Sequence, residues 1–471
     1  MAASKHSLIV AFIDPTLDPT IDSILDPTLD SPIDPTLDSV LDSALHLPPP
    51  LFSSSIQHSI QPSTLYSTQH STQPPPLPPS ASILLRWLTL LVGVCLVVGA
   101  AGAGFLHALA WVGRTFEAHF WLVWTLPFLG LAMTWIYARL TPTSAGGVRT
   151  LIAQIRSPGA PLPWAMGPAI IGTTLLSHLG GASVGREGTA LQMGGALADR
   201  LGGPWRLSDE ERRTLLLCGV SAGFGAVFGT PYAAAVFALE FVRLTAGWWY
   251  RLPLCLLAGL GADAVGRHLF GAVHTDFRLI LPPDLTVAGF LWSAALGVTF
   301  GLVARTYLAF VTFNRTWKPT GQGPLPTPYH VIFVVGLLYA GLVWFGQLTP
   351  FTGLGIDLAQ DAAQYPVSPL VAALKFLLTA LCIGAGFRGG EVTPLFVIGA
   401  CLGSGLADLT ALPVAVGAAL GFVGVFAGAG AVPLAGTVMA CELFDPQLTP
   451  YAAVACALSW LVAGRRGLYS E

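Results

Sequence analysis

Charged residues are scarce in this sequence. They make up 10% of the 471 residues, against about 25% in soluble domains. With 53% hydrophobic residues and a mean hydropathy of +0.67, that scarcity excludes a water-soluble enzyme and leaves a polytopic membrane protein. No sign of charge dominates either: the net charge is −3, so the chain lacks the basic excess that binds a phosphate backbone, and nucleic acid is not expected as a partner. Cysteine is limited to seven residues (95, 218, 255, 382, 401, 441 and 456), all inside apolar segments and none in a Cys-x-x-Cys pair. They read as small core residues, which excludes a disulfide frame and a cysteine metal site. Also missing are His-Glu-x-x-His and paired aspartates, while the 10 histidines are scattered. A membrane-embedded protease or lipid transferase, the alternative from another functional class, needs a nucleophile with its base or a set of metal ligands. The sequence offers neither, so no enzyme, metal or cofactor is expected.

Glycine (53) and proline (37) are plentiful and interrupt the apolar runs. Membrane helices tolerate such interruptions, whereas a β-barrel would show short alternating segments. The fold class is therefore all-α and polytopic. Residues 1–82 stand apart as a low-complexity Asp/Pro/Ser-rich tail, with Asp at 14, 18, 22, 26, 30, 34, 38 and 42. Proline at this density blocks a helix and no apolar face forms, so the tail is expected to be disordered and dispensable for transport. One carboxylate every four residues also lacks the clustered oxygens and glycine turn of a calcium loop. The membrane domain runs over 83–471. A crossing needs about 20 apolar residues. Candidate spans are 83–112, 119–140, 164–183, 213–230, 231–245, 250–270, 286–311, 330–347, 367–387, 391–408, 411–429 and 450–464, with polar loops at 203–213, 272–284, 315–329 and 351–368. The stretches 187–200, 231–245, 391–408 and 432–443 are too short or broken to cross cleanly.

One short stretch carries the chemistry. Gly185-Arg186-Glu187-Gly188-Thr189 lies deep in apolar sequence yet sets two charges side by side. A charge at membrane depth is expensive, which makes it a candidate for an ion or proton pathway. Gly185 and Gly188 keep side chains off the backbone, and a helix starting here would add free N–H donors and the positive end of a dipole. Glu187 then sits where an anion would bind and competes with it. Adjacent helical residues point apart, so Arg186 does not neutralise Glu187 by proximity alone.

The same grammar recurs at Gly389-Gly390-Glu391-Val392-Thr393-Pro394, 204 residues on if Glu391 is set against Glu187. Two more pairs share nearly that interval: Gly219–Val227 with Gly424–Val432, and Pro231…Glu240 with Pro433…Glu442. Three collinear matches argue for duplicated halves, roughly 83–270 and 286–471, and such halves in transporters are often inverted, with broken helices meeting at the midplane.

These motifs resemble the CLC family of chloride channels and anion/proton antiporters, over nearly all of the chain after the tail. Gly185-Arg186-Glu187-Gly188-Thr189 looks like the family's Gly-Arg/Lys-Glu-Gly-Pro helix start, and Gly390-Glu391-Val392-Thr393-Pro394 like its Gly-x-Phe-x-Pro start. Thr189 in place of proline and Glu391-Val392-Thr393 in place of x-Phe-x are most like the bacterial fluoride/proton antiporter branch. The resemblance implies a CLC-type fold of two inverted repeats, a homodimer with one pathway per subunit, halides (fluoride or chloride) and protons as cargo, and a multi-pass protein of the bacterial inner membrane. It implies Glu187 as the gate, and an anion site built from Gly146, Gly147, Val148, Gly185, Arg186, Gly188, Glu391, Val392, Thr393 and Tyr451, with Glu240 on a proton path. Three departures stand out. The first family motif falls near Ser144–Thr150 without its central serine. Tyr451, the match to the pore tyrosine, aligns only across a gap. Phe241 stands where chloride/proton antiporters carry a second glutamate. The last departure weakens a chloride/proton route and leaves fluoride/proton exchange or a passive, voltage-gated chloride channel. For Glu391 the residues leave open whether it serves the anion or caps its own helix. Thr393 is likewise open between donating to the anion and bonding back to its helix.

Overall fold

The computed structural model describes residues 79–140, 147–243, 247–275, 277, 284–316 and 327–469. The expectations for residues 1–78 and for Gly146 lie outside the described residues. Among the latter there are sixteen α-helices and no strand. The first half contains α1 (Pro79–Ala118), α2 (Leu126–Leu140), α3 (Val148–Arg156), α4 (Met166–Leu179), α5 (Glu187–Gly202), α6 (Asp209–Phe228), α7 (Pro231–Glu240) and α8 (Trp248–Ala264). The second contains α9 (Val287–Thr316), α10 (Thr327–Phe345), α11 (Ile356–Gln364), α12 (Pro369–Ala385), α13 (Val392–Ala407), α14 (Val414–Gly430), α15 (Pro433–Leu443) and α16 (Thr449–Ala463).

Among the described residues, four segments are long and apolar enough to cross a membrane: Ser82–Ala118, Phe120–Leu140, Val287–Phe313 and Pro328–Phe345. They fall at corresponding places, at the start of each half. The helices that carry the motifs are different. α5 and α13 have 16 residues each, and α7 and α15 have 10 and 11. All fall short of the roughly 20 residues of a crossing, so they begin or end inside the protein. α5 and α13 are buried on nearly every side, which demands close neighbours rather than an amphipathic stripe. Small residues provide that closeness: Gly194 of α5 meets Gly219 and Gly223 of α6, and Gly403 of α13 meets Gly417 and Gly421 of α14. Backbones approach where no Cβ intervenes.

Three features tie the halves together as inverted repeats. The extended chain before α5 meets the extended chain before α13 in an antiparallel bridge, with Gly185 N–H donating to Gly390 C=O (2.6 Å) and Gly390 N–H to Gly185 C=O (2.7 Å). The other two are reciprocal. The Glu240 carboxylate, at the end of α7, accepts from Leu434 and Ala435 N–H at the start of α15 (2.9 and 2.7 Å). The Glu442 carboxylate, in the last turn of α15, accepts from Tyr232 and Ala233 N–H at the start of α7 (3.2 and 2.9 Å). Each short helix thus satisfies the orphan donors of its counterpart, and prolines at 231 and 433 open both helices without losing a donor.

The structure shifts the repeat register by one residue. Gly185 faces Gly390, and α5 and α13 begin at Glu187 and Val392. The counterpart of Glu187 is therefore Val392, and Glu391 matches Arg186, both standing just before their helices. A second correction concerns 351–368, read as a loop, which contains α11. Its nine residues bury Ala359 and Ala362 while placing Asp357 in the first turn, so an average over a membrane-length window reads them as polar.

Candidate functional site

The bridge between Gly185 and Gly390 aims two helix N-termini at one point. A Cβ on either glycine would run into the Glu187 carboxylate, which is why both positions admit only glycine. Glu187 opens α5 and is 0% exposed. Thr393 Oγ1, on α13, donates to Glu187 Oε1. Glu187 Oε2 is buried without a hydrogen-bond partner among the described residues. The carboxylate thus comes from one half of the chain and its hydroxyl donor from the other. The Thr393 hydroxyl is thus given to Glu187 rather than back to its own helix, and Glu391 makes no side-chain cap on α13.

Two cavities flank this contact. The first, about 570 Å³, is lined by Arg186, His178, Gly353 and Gly355 together with Arg114, Glu117, Asp357 and Asp361. Arg186 lies over the Phe228 ring, 5.1 Å from its centroid. The second, about 460 Å³, is lined by Gly147, Val148, Gly188, Gly390 and Glu391. Arg186 and Gly188 are the chain neighbours of Glu187, so the gate candidate stands between the two spaces while lining neither. Val392 is fully buried behind Glu391. Thr189 bonds Thr174 (2.6 Å) and so serves packing between α5 and α4.

Of the residues singled out in the sequence, Gly147, Val148, Gly185, Arg186, Glu187, Gly188, Glu391, Val392 and Thr393 come together. Two do not. Tyr451, at the start of α16, is buried and its hydroxyl accepts from Thr286 N–H (2.7 Å) and donates to Asp284 C=O (2.7 Å). That is a structural tie to the segment leading into α9. Glu240 lines neither cavity and is committed to the start of α15. Sequence reasoning missed Tyr469, which lines the second cavity with Leu468. Its place is fixed by Leu468 N–H donating to Ala429 C=O (2.8 Å). Phe241, at the position of the absent second glutamate, stacks on Phe237 (5.0 Å) and meets Tyr469 edge-on (5.7 Å). Gln192, also missed, donates to Gly188 C=O (2.9 Å) and holds the first turn of α5. An in-line Tyr in a terminal Gly464-Arg465-Arg466-Gly467-Leu468-Tyr469 break, after the last apolar run, was the available signal for Tyr469.

The fold and this gate-like contact define an integral membrane protein of the ion-transport class. A family model described as "Voltage gated chloride channel" matches residues 129–464. The chain belongs to that family, the CLC proteins. It is 40% identical over 403 residues, covering 82% of this chain and 85% of the relative, to the "Chloride/fluoride channel protein" of Pseudomonas syringae pv. tomato. It is 28% identical over 322 residues, 62% of this chain and 66% of the relative, to the "H(+)/Cl(-) exchange transporter ClcA" of Vibrio vulnificus. Among solved structures, that of a CLC-type fluoride/proton antiporter superposes with a TM-score of 0.76 at 31% identity, covering 82% of this chain and 97% of that one. A cyanobacterial Cl−/H+ antiporter at 21% identity shares the fold with a TM-score of 0.69.

Proposed function

We propose that this protein exchanges a halide, fluoride in preference to chloride, for protons across the bacterial inner membrane, with Glu187 as the gate. The observation that carries the reading is the buried contact between Glu187 and Thr393, set between two cavities at the meeting point of two helix N-termini. A carboxylate there occupies the place of a permeating anion, and gaining a proton frees it to leave. Anion passage and proton uptake are then steps of one cycle. Gly147, Val148, Gly185, Arg186, Gly188, Glu391, Val392 and Thr393 form the anion path in this reading, and Tyr469 takes the pore role that the resemblance gave to Tyr451. Phe241 supports a proton route other than that of the chloride/proton antiporters, because a phenyl ring packed on Phe237 carries no proton. The resemblance to the family supports a homodimer with one pathway in each subunit.

The test is halide efflux from liposomes holding the purified protein, read by fluoride and chloride electrodes with a simultaneous pH trace. Fluoride efflux with counter-moving protons, and loss of that coupling in Glu187→Gln, is the expected result. Chloride leak without proton movement would make the protein a channel instead, and no flux of either ion would sink the reading.

A further inference from the structure

The second cavity contains a cation that the gate does not use. α12 ends at Ala385, Gly386 turns the chain with φ +97°, and Phe387 drops into the core at 3% exposure. The next residue, Arg388, consequently faces the other way, into the cavity that also holds Gly390 and Glu391. Its guanidinium lies against the Tyr137 ring of α2, with Cζ 3.9 Å from the ring centroid. Such stacking leaves the in-plane edge of the fork unused, and that edge carries five N–H donors. Among the described residues Arg388 has neither an ion pair nor a hydrogen bond; the ring contact is what positions it. Arg149, on the first turn of α3, lines the same cavity, and it too has no ion pair among the described residues. Against these two positive charges stands one carboxylate among the described residues, Glu391, so the described charged side chains lining this space sum to +1.

A half-buried cation without a counter-ion is costly, and the cost is removed when an anion arrives. We propose that Arg388 is the residue that recruits and holds the halide in the second cavity, one step from the Glu187–Thr393 contact, with Arg149 drawing anions toward it. The proposal rests on the halide-transport reading above. The Tyr137 stack gives the site its geometry: it fixes the guanidinium plane, and Tyr137 in turn reaches Gln192, which holds Gly188 of the gate helix. Arg388 thereby sets how much halide is presented to the gate, while the gate sets how fast each ion passes.

The experiment uses the full chain in liposomes of phosphatidylethanolamine and phosphatidylglycerol, with initial halide flux measured against fluoride and chloride concentration. It is paired with calorimetric titration of the detergent-solubilised protein with sodium fluoride and sodium chloride. Arg388→Gln is expected to raise both the half-saturating halide concentration and the dissociation constant about tenfold, the equivalent of ~1.4 kcal/mol, with the maximal rate little changed. Arg388→Lys keeps the charge without the planar fork and is expected to fall between the two, which keeps the idea testable if the glutamine variant does not fold. Unchanged half-saturation and unchanged binding in both variants would overturn the proposal while leaving halide transport standing. Wild-type protein that binds halide through Arg388 yet moves none would leave the site in place and remove the transport reading.

Discussion

Replacing Thr393 by valine keeps its shape and removes the hydroxyl that donates to Glu187 Oε1. Both residues are buried, at 3% and 0% exposure, so water does not readily replace the lost partner. A hydrogen bond to a charged group contributes about 1.5–3 kcal/mol. Thr393→Val should therefore weaken the hold of the carboxylate on its seat by roughly one to two orders of magnitude in the occupancy ratio. The single variant is ambiguous, because the same hydroxyl can serve the anion once the carboxylate has moved away. A double-mutant cycle with Glu187→Ala separates the two roles. If the hydroxyl holds the gate, valine changes halide flux strongly when Glu187 is present and little when it is absent. The coupling energy should then reach at least about 1 kcal/mol, well beyond the ~0.3–0.5 kcal/mol within which independent sites add. Thr393→Ser keeps the donor and should behave like the wild type. Additive effects of Thr393→Val and Glu187→Ala, in protein that elutes as a single folded species, would refute the gate contact.

Two further outcomes follow from the helix ends and the tyrosines. Glu240→Ala and Glu442→Ala each strip two helix N–H groups of their acceptors, one of each pair on a buried alanine (Ala435 and Ala233), at about 1–3 kcal/mol for that buried group left unpaired; thermal unfolding in detergent should show comparable losses for both, and an unchanged midpoint in either would contradict the reciprocal capping. Tyr451→Phe should lower thermal stability with halide flux preserved, whereas Tyr469→Ala should alter flux; the opposite pattern would return the pore role to Tyr451.

The fold was legible where the chain violates the ordinary rules of a membrane segment. Arg186 and Glu187 stand out because charge is rare around them, and the glycines and prolines spaced alike in both halves expose the duplication. α3 and α11 were not legible as helices because each has nine residues and mixed polarity. The single-residue slip in matching the halves arose because two glutamates attract an alignment, while the backbone pairing is decided by Gly185 and Gly390. The roles of Glu240 and Glu442 were hidden for a different reason. Each closes an apolar run, as a residue meeting water would, and its partners lie 194 and 195 or 210 and 209 positions away along the chain. Tyr469 was passed over because its position depends on Leu468 docking on Ala429, a contact that leaves no local pattern.

The register of the two halves has a consequence for direction. An inverted duplication that remained identical would look the same from both faces of the bilayer, and nothing in it could distinguish inward from outward. Here the position just before each buried helix holds Arg186 toward one cavity and Glu391 toward the other, and the next position holds Glu187 in one half and Val392 in the other. The two cavities thus present opposite charge at equivalent places, and the Glu187 carboxylate stands between them. Asymmetry of side chains laid on symmetry of backbone is enough to give the protein a polarity, so that its two faces are chemically different machines sharing one scaffold.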